Sequence, residues 1–134
     1  MIAIDTSVVI AAFASWHEGH GVAAAALAKR PRLPAPVLIE SYSVLTRLPA
    51  PHTAAAATVE EFLRDRFPRP PLVLPAKAYA PLLRTIASSG VRGGAVYDAV
   101  IGATARHANA LLLTRDRRAS ATYQRLGVRF ELVG

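Results

Sequence analysis

A chain of 134 residues, 52% hydrophobic and 19% charged, fits one folded domain, and a chain of this length buries about two-thirds of its unfolded surface. It holds no cysteine, which excludes disulfides, thiolate metal sites and thiol nucleophiles and fits a reducing compartment such as the cytoplasm. The net charge of +7 comes almost wholly from arginine, with Lys29 and Lys77 the only lysines. Arginine binds phosphate bidentately and suits a polyanionic partner, but an arginine- and alanine-rich chain also follows from GC-rich coding.

In chain order, Ile2–Ile4 reads as a short strand, continuously apolar as in a parallel sheet. A helix capped by Asp5 or Thr6 then runs to about Ser15, and "SWHEGHG" breaks the chain. "VAAAALAKR" (22–30) is a second helix by composition, and "PRLPAP" (31–36) is a proline-rich connection with room for a short strand. Residues 37–48 read as a helix stopped by Pro49. Residues 53–67 read as the next helix, with Thr53 as N-cap. Leu72–Leu74 is a strand between prolines, and 76–90 is a helix ended by Gly90. Residues 95–110 are helical, 111–114 form a buried strand, 117–127 a helix ending at glycine, and 128–133 an alternating edge strand. This alternation without repeats or linkers predicts a single α/β domain over 1–134 with a mainly parallel sheet. Ligand sites in such sheets lie beyond the carboxyl ends of the strands. No apolar run is long enough to span a bilayer, and no cation precedes "VVIAAFAS" as a signal peptide requires.

The chain has nine acids, and they fall into two groups. Glu60, Glu61 and Asp65 share a helix with Arg64 and Arg66 and read as a solvated face with local ion pairs. Glu18 lies in the break, and Glu131 alternates outward in the last strand. Asp5 and Asp116 instead follow the apolar strands Ile2–Ile4 and Leu111–Thr114. Glu40 in "VLIESYSVL" and Asp98 in "AVYDAVIGATA" stand among apolar residues near helix starts. Each has a plain explanation: Asp5 and Asp116 as helix caps, Asp98 as a complement to a helix dipole, Glu40 as the partner of an arginine. Their joint placement favours a site. Two carboxylates about 4 Å apart repel by roughly 4 kcal/mol at an effective dielectric near 20, and a divalent cation removes that cost. Oxygen-only ligands select a hard ion, Mg²⁺ or Mn²⁺. Such a site in a basic protein points to phosphodiester hydrolysis.

"MIAIDTSVVI", the glutamate of "PVLIES", "YDAVIGATA" and "LLTRD" together resemble, in order and spacing, the PIN-domain ribonucleases. The likeness is strongest to the VapC toxins of bacterial toxin–antitoxin systems, and "TRDRRASATYQRLGVRFELV" is similar to the tail of actinobacterial members. The resemblance implies a PIN-like parallel five-stranded sheet, order 3-2-1-4-5, flanked by helices. It implies a Mg²⁺- or Mn²⁺-dependent endoribonuclease leaving a 5′-phosphate and a 3′-hydroxyl. It also implies a homodimer, inhibited by a VapB-type antitoxin that occupies the groove and carries the contact with operator DNA. By the same resemblance Asp5, Glu40, Asp98 and Asp116 are the four family acids, Asp5 and Asp98 being the main metal ligands and the other two completing the pocket. Thr6 and Thr114 match small polar positions that hydrogen-bond the acids. Many members carry another acid a few residues later, where this chain has Arg117, Arg118, Ala119 and Ser120; that weakens the case for a firmly held second ion.

The remaining signals read as structural. His17 and His20 read as surface histidines rather than a metal pair, and Trp16 as a packing or dimer residue rather than a base-stacking platform. Tyr97 packs under the site or faces substrate, and Arg115, Arg117 and Arg118 hold RNA phosphate or an antitoxin carboxylate, or form a solvated helix start. The rival reading is a non-catalytic RNA-binding module with the acids as helix caps. A phosphoacceptor domain is disfavoured because Asp5 stands single and neither lysine is placed to serve it.

Overall fold

The computed structural model describes all residues, Met1–Gly134. Three parallel strands form its centre: β1 (Ile2–Ile4), β2 (Leu111–Thr114) and β3 (Phe130–Leu132), in the order β1-β2-β3. Ile2, Ala3 and Ile4 pair with Leu111, Leu112 and Leu113, while Leu112, Leu113 and Thr114 pair with Phe130, Glu131 and Leu132. The middle strand is covered on both faces, as its unbroken apolar run requires: Leu112 and Leu113 are almost completely buried. Each such leucine contributes roughly 1.5–3 kcal/mol relative to exposure.

Seven helices surround the sheet: α1 (Thr6–Phe13), α2 (His20–Leu27), α3 (Ala35–Thr46), α4 (Ala56–Arg66), α5 (Ala76–Ser88), α6 (Ala95–His107) and α7 (Arg117–Arg125). Helix α1 packs on α2 and α3; α3 also packs on α4 and α6; α6 packs on α5 and α7. The buried apolar side chains form one continuous cluster. Gly102 lets α6 and α7 close together, because a Cβ there would stand 2.9 Å from a Tyr123 ring carbon and 3.0 Å from Val128 Cγ2. Gly102→Ala is therefore expected to destabilise by about 1–3 kcal/mol through overpacking, measured as a lower denaturant midpoint. An unchanged midpoint would show that α7 yields freely.

Of the expected five strands three form, and the two remaining segments contribute only single-residue parallel bridges, Ala3 with Arg32 and Pro34 with Leu72. Arg32 exchanges backbone bonds with Ile2 and Ile4, and Leu72 with Leu33 and Ala35. Proline explains the truncation. Pro31, Pro34, Pro70, Pro71 and Pro75 flank these residues and have no N–H to extend a ladder. Helix boundaries moved for similar local reasons. Helix α3 begins at Ala35, not at residue 37, because proline is tolerated in a first turn. Helix α4 begins at Ala56, and Thr53 does not cap it: its hydroxyl donates to the Leu48 carbonyl instead.

Candidate active site

The parallel sheet directs β1 and β2 so that their carboxyl ends lie side by side, and both chains leave those ends through an aspartate. Asp5 follows Ile4 and caps α1, its Oδ1 accepting from the Ser7 amide at 3.1 Å and the Ser7 hydroxyl at 2.5 Å. Its Oδ2 accepts from the Tyr123 hydroxyl at 2.9 Å. Asp116 caps α7, its Oδ1 accepting from the amides of Arg118 at 2.9 Å and Ala119 at 3.3 Å. The helix-cap expectations for both aspartates are thus met. Capping occupies one oxygen of Asp116 and leaves Oδ2 without a hydrogen-bond partner, so a cap and a ligand are compatible in one carboxylate.

Asp98 sits in the first turn of α6 with no hydrogen bond to either oxygen. With Asp116, Arg118, Gly94 and Ala95 it lines an open cleft of about 400 Å³. Burial pushes its carboxyl up from the usual range to about 6, helped by the charges of Asp116, Glu40 and Asp5 and opposed by Arg118. The charges of the other three acids are thus felt at Asp98, but of the four only Asp98 and Asp116 line the cleft. Glu40, on α3, is tied to α1 by the Thr6 hydroxyl, which donates to its Oε1; the arginine partner allowed for it is absent. As folded, no three acidic or histidine side chains stand in an arrangement that encloses an ion. The free oxygens are those of Asp98, Oδ2 of Asp116 and Oε2 of Glu40.

Asp5 differs from the others. It is only 3% exposed, and burial pushes its carboxyl above the usual range against the pull of its hydroxyl partners. Thr114 and Ser7 tie the two strand ends together: Ser7 Oγ lies 3.4 Å from Thr114 Oγ1 and accepts from the Arg115 amide at 2.8 Å, and Thr114 Oγ1 accepts from the Asp116 amide at 3.1 Å. Thr6 thus bonds an acid as expected, Thr114 meets Asp116 only through that residue's backbone amide, and Ser7 and Tyr123 were not anticipated. Ser7 carried a local sign, a hydroxyl two residues after a capping aspartate. Tyr123 carried none, being 118 residues from Asp5. Its phenol is fully buried, and burial beside Asp5 raises its pKa further still, so it stays a proton donor. Tyr123→Phe is expected to cost about 1–3 kcal/mol at pH 7, the value of a buried hydrogen bond to a charged group, read from urea unfolding. Equal midpoints would mean Asp5 holds its place without the phenol.

Of the other residues raised by the sequence, Arg118 lines the cleft and the rest do not. His17 Nδ1 accepts from the Gly19 amide at 2.9 Å, and His20 Nδ1 lies 2.9 Å from the Ala11 carbonyl oxygen, so the pair is structural. Trp16 stacks on His52 with ring centroids 3.9 Å apart. Tyr97 is 68% exposed beside Asp98. Arg115, Arg117, Arg118 and Ser7 line a second opening, joined to the first through Asp116 and Arg118.

The PIN domain family model matches residues 2–124. Ribonuclease VapC40 of Mycobacterium tuberculosis is 51% identical over 133 residues, covering 99% of each chain. A structure of FitAB bound to a DNA fragment superposes with TM-score 0.73 at 18% identity, covering 98% of this chain and 94% of the other. VapBC2 of Rickettsia felis bound to a fragment of its promoter superposes with TM-score 0.67 at 18% identity, covering 98% of each.

Proposed function

Since the chain belongs to the PIN domain family, and within it to the VapC group, we propose that it is the endoribonuclease toxin of a toxin–antitoxin pair, hydrolysing RNA with a divalent cation. The observation that carries this reading is the pair Asp98 and Asp116 lining one open cleft, with the Asp98 carboxyl pushed up first by burial and then by the charges of Asp116, Glu40 and Asp5. An uncompensated cluster of that kind is electrostatically costly, and a hard dication is the group that offsets it. The donor set fits Mg²⁺ or Mn²⁺. Mg²⁺ keeps most of its waters and needs only one or two carboxylates plus substrate phosphate, so no enclosing cage of three acids is demanded. Asp98 and Asp116 would hold the ion with their free oxygens, in place of the expected pair Asp5 and Asp98, because both Asp5 oxygens already accept hydrogen bonds. Asp5 would add charge and its remaining lone pairs from below, and Glu40 would act through water. When bound, the ion would lower the pKa of a water and offset negative charge on the phosphodiester.

The protein's own groups divide the rest of the work. Arg118 stands at the cleft with Asp98 and Asp116 and is placed to bind the non-bridging oxygens of the scissile phosphate. Backbone amides and hydroxyls lock Asp116 and Asp5, so neither needs to reorganise when substrate arrives. Asp98, free of hydrogen bonds, is open to orient the attacking water. The family pattern supports a whole-chain domain over 1–134, a homodimer, a VapB-type antitoxin seated over the groove and contact with operator DNA only through that antitoxin. A cytoplasmic setting follows from the RNA substrate. No helix is long and apolar enough to cross a membrane.

The test is cleavage of an RNA panel with Mg²⁺, with EDTA, and by Asp98→Asn. Cleavage is expected with Mg²⁺ alone; turnover that survives both EDTA and the substitution would sink the reading. RNA binding without turnover under any metal would favour the binding-module alternative.

A further inference from the structure

The acid cleft lies past the carboxyl ends of the strands, but arginine gathers at the other end. Residues 30–34 run parallel to β1, since Ala3 bridges Arg32, so Arg30 lies beyond the amino end of the sheet. The turn after α4 returns Arg69 to the same end, one residue before the prolines that lead to Leu72. There Arg30, Arg32, Arg66 and Arg69 surround a recess of about 70 Å³ floored by Leu27, Leu33 and Phe67.

Three features distinguish this recess from a solvated basic face. First, no carboxylate lines the recess or pairs with any of the four charges: the ion pairs of this protein are those of Arg64 with Glu60 and Asp65. Second, the guanidiniums are held in place. Arg32 donates to the Pro70 carbonyl, Arg69 to the Arg30 carbonyl, and Arg66 lies over the Phe62 ring at 5.7 Å. Third, the Arg32 Nε–H is buried and has no hydrogen-bond acceptor. A buried donor without a partner is costly, and four like charges brought together add to that cost. A bound oxyanion relieves both.

We propose that this recess is a phosphate-binding site at the opposite end of the sheet from the acid cleft. The recess is small, about 70 Å³, and suits a single tetrahedral group. Arginine forks match phosphate bidentately, and a phosphate answers more of the four charges than a single carboxylate does. The phosphate comes either from the backbone of bound RNA or free from solution. β1 is about 10 Å long, so an RNA anchored at the acid cleft needs only a short run of nucleotides to reach the recess. The phosphate site stands without the nuclease reading; only its RNA source rests on it.

Inorganic phosphate is the probe. Wild-type protein is melted in phosphate and in chloride at matched pH and ionic strength, beside Arg66→Gln and Arg69→Gln. Arg66 makes only the ring contact, so its substitution spares the fold. Phosphate is expected to raise the wild-type Tm by several degrees, and each variant to lose at least half of that rise. In unaltered protein, the Arg32 Nε–Hε NMR signal is expected to move on phosphate addition. The RNA arm uses the non-cleaving Asp98→Asn protein. If Arg66→Gln and Arg69→Gln there weaken RNA binding about 3–10-fold and flatten its salt dependence by about one charge each, the ligand is RNA backbone. Unchanged RNA binding with the phosphate effect intact assigns the site to free phosphate. No phosphate-specific Tm rise and no movement of the Arg32 signal overturns the proposal. A larger effect from a polyglutamate peptide than from phosphate overturns it in favour of an acidic protein partner.

Discussion

Asp98→Asn is expected to lower RNA cleavage by at least about 10²–10³-fold, the range seen when one electrostatic contributor to a phosphoryl or acyl transition state is removed, with the fold intact. Asparagine keeps the shape of the side chain and one oxygen, and Asp98 makes no hydrogen bond that folding depends on. The loss should therefore appear in kcat, and circular dichroism should be unchanged. The same substitution isolates the chemistry from binding: RNA affinity without metal should be retained or improved, since one negative charge leaves the cleft. A variant cutting within a few-fold of wild type would remove Asp98 from the reaction.

The second large effect is on stability, and its sign is opposite to that of most substitutions. The folded protein holds the Asp98 carboxyl near 6, against an ordinary 3.8. Between those values the folded state binds more protons than the unfolded state, so stability falls as pH rises through about 4 to 6 and stays reduced above it. A shift of about two units is worth under about 3 kcal/mol, and solvent screening of this half-buried group brings it nearer ~1 kcal/mol. Without metal at pH 7.5, Asp98→Asn should thus melt about 3–5 °C above wild type. The gap should close below about pH 3, where the carboxyl is neutral in the folded and the unfolded state alike. Millimolar Mg²⁺ should raise the wild-type Tm and leave the variant nearly unmoved, because a ligand for the native state stabilises by mass action. A variant less stable than wild type at pH 7.5 would mean that Asp98 is satisfied in the folded protein.

Much of this arrangement was legible in the sequence, for a physical reason. A strand buried on both faces must be continuously apolar, so an acid at its end stands out, and Asp5 and Asp116 both mark such ends. Asp98 and Glu40 were conspicuous because apolar neighbours place them on inward-facing helix turns. What the sequence concealed depends on long-range packing. Tyr123 meets Asp5 only because Gly102 lets α7 settle against α6, and no local pattern encodes that meeting. The outer segments at Arg32 and Leu72 look like strands by composition, but their flanking prolines stop the ladder after one bridge each. The arginine recess was equally hidden, since its members come from the ends of α2 and α4 and from the turns that follow them. The resemblance to PIN-domain ribonucleases, made on four short motifs, agrees with the family match over residues 2–124.

The central claim is that Asp98 and Asp116, backed by Asp5 and Glu40, hold a divalent cation. Crystals grown with Mn²⁺ and measured at its absorption edge test it most directly. The account predicts an anomalous peak in the cleft between Asp98 and Asp116, lost in Asp98→Asn. A featureless cleft at saturating Mn²⁺, or a peak that persists in the variant, would contradict it.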